Sequence, residues 1–440
     1  MARTRSESSR MRWRTDTVVP LSAVVVWNVV LVAFEGPDRY SFVGGLATRM
    51  NDLAAALIAR GHRVRHLFVG DPHLPHVEER EHGRLILERW AQWISAYHPK
   101  DAYDGEDGKY LDFSRTVPPH LADVAGTSAR RGERTVLLFE DWQTASAAIG
   151  TATLLASRGL HAPIFWNANN TYGFGRVDFP ILRRVASITT ISRYMRMELA
   201  KVDVECAILP NGIADRWLAP VGPSDKLVLR NGFGERPTFV KVARFDRDKR
   251  WLWAVDAIAA MRDAGMRPRF IMRGSRSDYA DVVGSRIRAQ GLTIERLALP
   301  ATATPADLAS AVSATTSDVV FLDFFVSELA LRALYAAADG VLANSEKEPF
   351  GLVGLEVMSC GGIAYVGRTG EDYAVPFGNA VVVQSDDPRE LMTANRILNE
   401  DRRLAAAMRA DGRMTAKRFA WPRILEAYEV LWETASALTS

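Results

Sequence analysis

The sequence predicts an α/β protein: two doubly wound, parallel-sheet domains in tandem, facing a central cleft. Three observations lead there. The chain has 440 residues, room for two or three domains at ~100–200 residues each. Short apolar strands alternate with helical segments along nearly its whole length. The alternation breaks once, over 214–237, where Pro220, Gly222, Pro223, Gly232, Gly234 and Pro237 cluster, and that stretch reads as a linker.

Taken in order, VVLVAF (29–34) is a β-branched strand and EGPDRYSFVGG (35–45) a loop rich in breakers. LATRMNDLAAALIAR (46–60) has apolar residues at helical spacing, with Gly61 at the C-cap position, and VRHLFVG (64–70) is the next strand. A strand–helix–strand unit of this length pairs in parallel through a right-handed crossover. TVLLFED (135–141), APIFWNAN (162–169), ASITTIS (186–192) and CAILPNG (206–212) continue the series. The stretch 73–120, polar and weakly periodic, reads as an insertion beside the cleft. Beyond the linker come TFVKVARF (238–245), PRFIMRG (268–274), VVFLDF (319–324), GVLAN (340–344) and AYVG (364–367), with helices around 251–263, 327–338 and 389–410. Open sheets of this type bind ligands outside the C-terminal ends of their strands.

Composition narrows the chemistry. Two cysteines, Cys206 and Cys360, exclude a disulfide scaffold and an all-cysteine zinc site. A net charge of +3, from 55 basic and 52 acidic residues, is too small to argue for a nucleic-acid partner. All eight histidines lie between His62 and His161, so chemistry in the C-terminal half must run on carboxylates, Arg, Lys or backbone dipoles. Residues 1–16 carry five arginines among serines and read as a disordered basic tail able to touch an anionic membrane surface. The apolar run 18–34 is interrupted by Pro20, Ser22 and Asn28 and falls short of the ~20 apolar residues of a spanning helix. The expectation is no integral membrane segment and a cytoplasmic location.

The most informative segment is SEKEPFGLVGLEVMSCGG (345–362). It follows an apolar strand, and a helix begins near Gly351 or Leu352, where unpaired N–H groups attract a phosphate. Glu356 lies about a turn and a half inside at ~1.5 Å per residue, and Glu348 just outside. The two carboxylates can accept hydrogen bonds from vicinal hydroxyls of a ribose and a sugar. In VKVARFDRDKR (240–250), Arg244 and Lys249 could neutralise a diphosphate, although Asp246 and Asp248 could equally pair with them in a solvated loop. Gly44 and Gly45, at the start of the first helix, allow close approach of a ligand, or serve a turn.

These residues resemble the retaining glycosyltransferases of the GT-B fold, glycosyl transferases group 1 type, a group that includes glycogen-, trehalose- and sucrose-synthase-like enzymes. The marks are the E-x7-E pair Glu348/Glu356 in EPFGLVGLE, the Arg244/Lys249 pair, ISRYMRMEL…ILPNGI (191–213), the GG-L…RGH segment (44–62), and Phe419-Ala420-Trp421 before a final helix. The resemblance spans about residues 28–435 and implies two Rossmann-like domains. With the tail at 1–16, these are an acceptor domain at 17–215 and a donor domain at 216–418, and a helix at 419–440 returns to the first domain.

It also implies that Arg244 and Lys249 hold the nucleotide diphosphate, Glu356 the ribose, and Glu348 with Phe350, Gly351 and Leu352 the donor sugar and distal phosphate. Gly44 and Gly45 approach from the other domain. No cofactor and no metal is implied. The partners are a nucleotide-diphosphate sugar such as UDP-, ADP- or GDP-hexose and a hydroxyl acceptor. Catalysis falls to Arg244, Lys249, Glu348 and Asp141, and acceptor contacts to Asp141, Trp142 and Asn169, with helix capping as the alternative role for Asp141. The sequence departs from the family at Phe42, where relatives of the glycogen-synthase type carry Lys, at Ala168, where many carry His, and at Glu140, again in place of His. A sugar-nucleotide epimerase or hydrolase, or a non-catalytic sugar-nucleotide-binding protein, are the alternatives.

Overall fold

The computed structural model describes residues 25–274 and 277–439; the basic tail read at 1–16 lies outside the described residues. The first sheet contains β1 (Trp27–Val32), β2 (Arg63–Val69), β3 (Val77–Arg80), β4 (Leu85–Trp90), β5 (Arg134–Glu140), β6 (Ile164–Ala168), β7 (Ser187–Thr190) and β8 (Ala207–Ile208), in the order β3-β4-β2-β1-β5-β6-β7-β8. Every pairing is parallel except β3 with β4. The second contains β9 (Thr238–Val242), β10 (Arg269–Arg273), β11 (Ile294–Leu297), β12 (Val319–Leu322), β13 (Gly340–Ala343), β14 (Ala364–Val366) and β15 (Val381–Val382), all parallel, ordered β11-β12-β10-β9-β13-β14-β15.

The β1 strand shows why an unbroken apolar run suits this fold. Val30 and Val32 enter the core against the Glu106–Arg130 helix, while Val29 and Leu31 enter the opposite layer with the Gly45–Ala59 and Trp421–Thr439 helices. A strand covered on both faces has no polar side to show. The final helix is held in that layer by Leu425, Tyr428 and Trp432, whose indole meets Trp27 edge-on at 5.9 Å. The chain crosses between the domains twice, and the crossings lie side by side where Ile213 bridges Ala420.

Three readings of the sequence need correction. The breaker-rich 214–237 is not an open linker: it holds the Pro223–Phe233 helix, whose Leu229 and Phe233 are buried. Pro223 stands at the helix start, where its missing N–H costs nothing, and Gly234 at its end. The stretch 73–120 is not an insertion but the sheet edge β3–β4 and a 25-residue helix buried through Phe113, Val117 and Leu121. The helical region 389–410 is two helices, Arg389–Glu400 and Arg402–Arg418, the second N-capped by the Asp401 carboxylate.

Candidate active site

Strands β9 and β13 are neighbours, so the loops leaving their C-terminal ends meet. Lys249 ends a short 3₁₀ turn after β9, and its ammonium donates to Glu348 Oε2 at 2.6 Å. Asp246 does not pair with it; that side chain accepts from the Asp248 N–H. The Asp248 carbonyl accepts from Glu346 N–H at 2.8 Å and ties the two loops together. Arg244 is exposed beside them, its backbone carbonyl fixed by the Trp251 indole N–H at 2.8 Å. Its guanidinium has no partner among the described residues.

The Leu352–Ser359 helix starts behind Phe350 and Gly351, and no side chain caps it. Gly351 has φ +79°, and a Cβ there would stand 2.8 Å from Glu371 Cγ, so the turn requires glycine. The first-turn amides are uncapped, and the positive end of the dipole follows Glu348, the partner of Lys249, by four residues. Glu356 is half-buried on this helix, and its carboxylate accepts no hydrogen bond among the described residues. Burial, then the Asp52 charge, push its carboxyl up to about 7, against the pull of Arg216. Arg216 itself spans the domains, donating to Asp52 at 2.9 Å and pairing with Glu328 at 3.0 Å.

On the opposite side, the Gly45–Ala59 helix start already holds a carboxylate. Glu35, just beyond β1, accepts from Gly44 N–H at 2.8 Å, Ala47 N–H at 2.9 Å and the Tyr103 hydroxyl at 2.7 Å. Gly45 lies open, with nothing within 4 Å of where a Cβ would stand. Phe42 is exposed in the same loop.

The acceptor-side candidates sit on a buried polar network. Arg49 is fully buried and donates to Glu140 at 3.2 and 3.3 Å, to Tyr428 at 2.8 Å and to Asn211. Burial opposes the Arg49 charge, but Glu140 and Tyr428 outweigh it and hold the guanidinium above its ordinary range. Glu140 also accepts from Asn167 at 2.9 Å and Asn169 at 2.6 Å. Asp141 follows with φ 62°, accepting from Asn169 N–H at 2.8 Å and Asn170 at 3.0 Å. Its side chain does not cap the helix that begins at Trp142. Burial pushes the Asp141 carboxyl up to about 7 against the Asn169 N–H, with the Glu140 charge adding to the rise. Ala168 is wholly buried in the apolar core, and Trp142 lies beneath Arg176 at 4.1 Å.

The structure therefore gathers Arg244, Lys249, Glu348, Phe350, Gly351, Leu352 and Glu356 at one pair of sheet edges. Asp141 and Asn169 meet at the other domain's edge. Sequence reasoning missed Glu35, Arg49 and Glu371. Glu371 is buried beneath Gly351, and burial and then the Glu348 charge push its carboxyl up to about 8. An acid directly after a strand, as Glu35 is, was the one local signal.

A two-domain α/β protein with polar groups gathered at the C-terminal ends of its strands is the class this geometry defines. Residues 308–415 match the family model described as glycosyl transferases group 1. No curated protein matches the chain. Among solved structures, sucrose-phosphate synthase from Thermosynechococcus elongatus is 18% identical with a TM-score of 0.65, covering 93% of this chain and 99% of its own. The catalytic domain of starch synthase IV from Arabidopsis thaliana, bound to ADP and acarbose, is 17% identical with a TM-score of 0.65, covering 94% and 100%. HepE of Anabaena in complex with UDP-glucose is 18% identical with a TM-score of 0.60, covering 92% and 99%. The fold is GT-B, and residues 308–415 of its second domain are similar to the glycosyl transferases group 1 family.

Proposed function

We propose that the protein transfers a hexose from a nucleotide-diphosphate sugar to a hydroxyl acceptor, with retention of configuration and without a metal. The observation that carries this reading is the pairing of Lys249 with Glu348 just before an uncapped helix N-terminus, with Arg244 exposed on the Lys249 loop. Together they offer a diphosphate two cations and a set of backbone donors, the charge that a metal ion supplies elsewhere. Glu356, unpaired among the described residues on the same helix, suits a ribose diol. That HepE is solved with UDP-glucose and starch synthase IV with ADP supports a nucleotide donor.

In the retaining step, the acceptor oxygen bonds to the anomeric carbon on the face the phosphate leaves. The C–O bond to phosphate breaks, and the acceptor proton passes to the departing phosphate oxygen. Arg244 and Lys249 stabilise the charge that develops there. Asp141 and Asn169 orient the acceptor.

A thermal-shift panel of UDP, ADP, GDP and TDP with their sugars tests the reading. One nucleotide should raise Tm, because a ligand that binds only the folded state stabilises it. No shift with any of them would refute it. A non-catalytic sugar-nucleotide-binding protein is the second reading, favoured by Glu140 being spent on Arg49 and Ala168 being buried. Tight donor binding without turnover on any acceptor would support it, and nucleotide release without acceptor would point to a hydrolase.

A further inference from the structure

Between β14 and β15 the chain passes under the donor loop, and consecutive residues there face different partners. Thr369 grips Glu348 twice: the Glu348 N–H donates to its Oγ1 at 2.8 Å, and its hydroxyl donates to the Glu348 carbonyl at 3.1 Å. Gly370 runs so close beneath that a Cβ would collide with the Glu348 and Pro349 carbonyl oxygens. Glu371 is 6% exposed, with Oε2 accepting from Thr369 N–H at 3.2 Å and Oε1 left without a partner under Gly351. The Tyr373 hydroxyl donates to the Gly351 carbonyl, and its ring packs on Phe350 and Phe419 at 5.9 Å each.

The residue between them leaves the domain. Asp372 accepts from the backbone N–H of Arg193 at 2.6 Å and from the Arg193 guanidinium at 3.1 Å. Arg193 opens the Arg193–Ala200 helix, which lies between β7 and β8 of the first sheet. Five successive residues thus join the acceptor-side domain to the loop that carries Glu348 and Gly351.

We propose that residues 369–373 form a strap through which the first domain sets the position of Glu348 and Gly351, with Asp372 and Arg193 as positioning residues for sugar transfer. The strap itself stands on the contacts above; its role in transfer rests on the donor-site reading. Rigid-body separation of the domains breaks the Asp372–Arg193 link and frees Thr369 and Glu371 to shift under the donor loop. Both domains therefore have to be docked for Glu348 to hold its place.

Hydrogen exchange of the full-length chain tests the strap without any ligand. Arg193→Ala keeps its backbone N–H and removes only an exposed guanidinium, so its Tm should stay within about 2 °C of wild type. Amides of 348–354, in the other domain, should nevertheless exchange about threefold faster or more. Changes confined to 190–197 would overturn the proposal. Asp372→Ala, which removes both bonds, should show the same effect more strongly, and an unchanged donor loop in that variant would overturn it as well. On the active enzyme, Arg193→Ala should lower kcat about tenfold with donor KM within about twofold, and an equal change in both would overturn a positioning role. Should the wild-type protein turn over no sugar nucleotide, the exchange result still decides the strap, so the two failures are distinguishable.

Discussion

Lys249 and Glu348 lie 2.6 Å apart, each half-satisfied by the other, and a diphosphate arriving between the loops gives Lys249 a second anion to hold. Arg244, exposed and without a partner among the described residues, is free to fork onto the same group. If the two cations stabilise the departing phosphate, Arg244→Ala and Lys249→Ala each lower kcat about 100-fold with a smaller change in donor KM. Steady-state kinetics checks this, and equal losses would make them simple binding residues. Glu356→Ala should weaken nucleotide binding about 10- to 100-fold in calorimetry, the range for one hydrogen bond to a charged group. Unchanged affinity removes Glu356 from the ribose role. The proposed step sends the acceptor proton to the phosphate; were Asp141, raised to about 7 by burial, to take it instead, the pH–rate profile would show an acid limb near 7. Asp141→Asn abolishes that limb if it does, and a retained limb assigns it elsewhere.

Periodicity made most elements legible and missed those without it. The helix Leu352–Ser359 was read from VGLEVMSC and starts where Gly351 turns the chain. β11 escaped because IERL is mostly exposed at a sheet edge, and β15 because it is two residues long. Breakers misled at 214–237, since Pro and Gly mark helix ends as readily as linkers. The polar elements of the site were beyond reach because their partners are distant in sequence. Arg49 and Glu140 are 91 residues apart, and nothing local says that one cancels the other. Their pairing carries a consequence for the Gly45–Ala59 helix and β5. Arg49→Met leaves Glu140 buried and uncompensated, which should cost about 3–5 kcal/mol in urea denaturation. A loss under about 1 kcal/mol would show that water or Asn211 replaces the guanidinium.

At the scale of the molecule, the two domains and their cleft followed from strand alternation, whereas the inter-domain links through Arg216 and Asp372 did not, being single side chains with no pattern. Stability of the ligand-free protein depends on pH through the cleft carboxyls. Glu371, Glu356 and Asp141, at about 8, 7 and 7, lie above their ordinary values of about 4, so the folded state binds protons more tightly than the unfolded one. Their contribution is present at low pH and lost as pH rises through 7 to 8. His62 and His66 are depressed by burial, so their contribution is complete above about 6.5 and lost on acidification. Above pH 6.5 the buried Lys241 and Lys109, both depressed by burial, oppose this trend, but up to about pH 8 the three carboxyls outweigh them and Tm should fall. Glu371→Gln should flatten that slope, and a Tm rising over the same range would contradict it. Activity should survive EDTA unchanged, and strong inhibition would contradict a metal-free step.

The central claim is that Arg244 and Lys249 on one loop and the Leu352–Ser359 helix start on the next clamp a sugar-nucleotide diphosphate. Calorimetric titration of the donor into wild type and the Arg244→Ala/Lys249→Ala double variant tests it most directly. The account predicts one site per chain in the wild type, unaffected by EDTA, and a loss of at least about 30-fold in affinity in the folded double variant. Equal affinity in both proteins would contradict it.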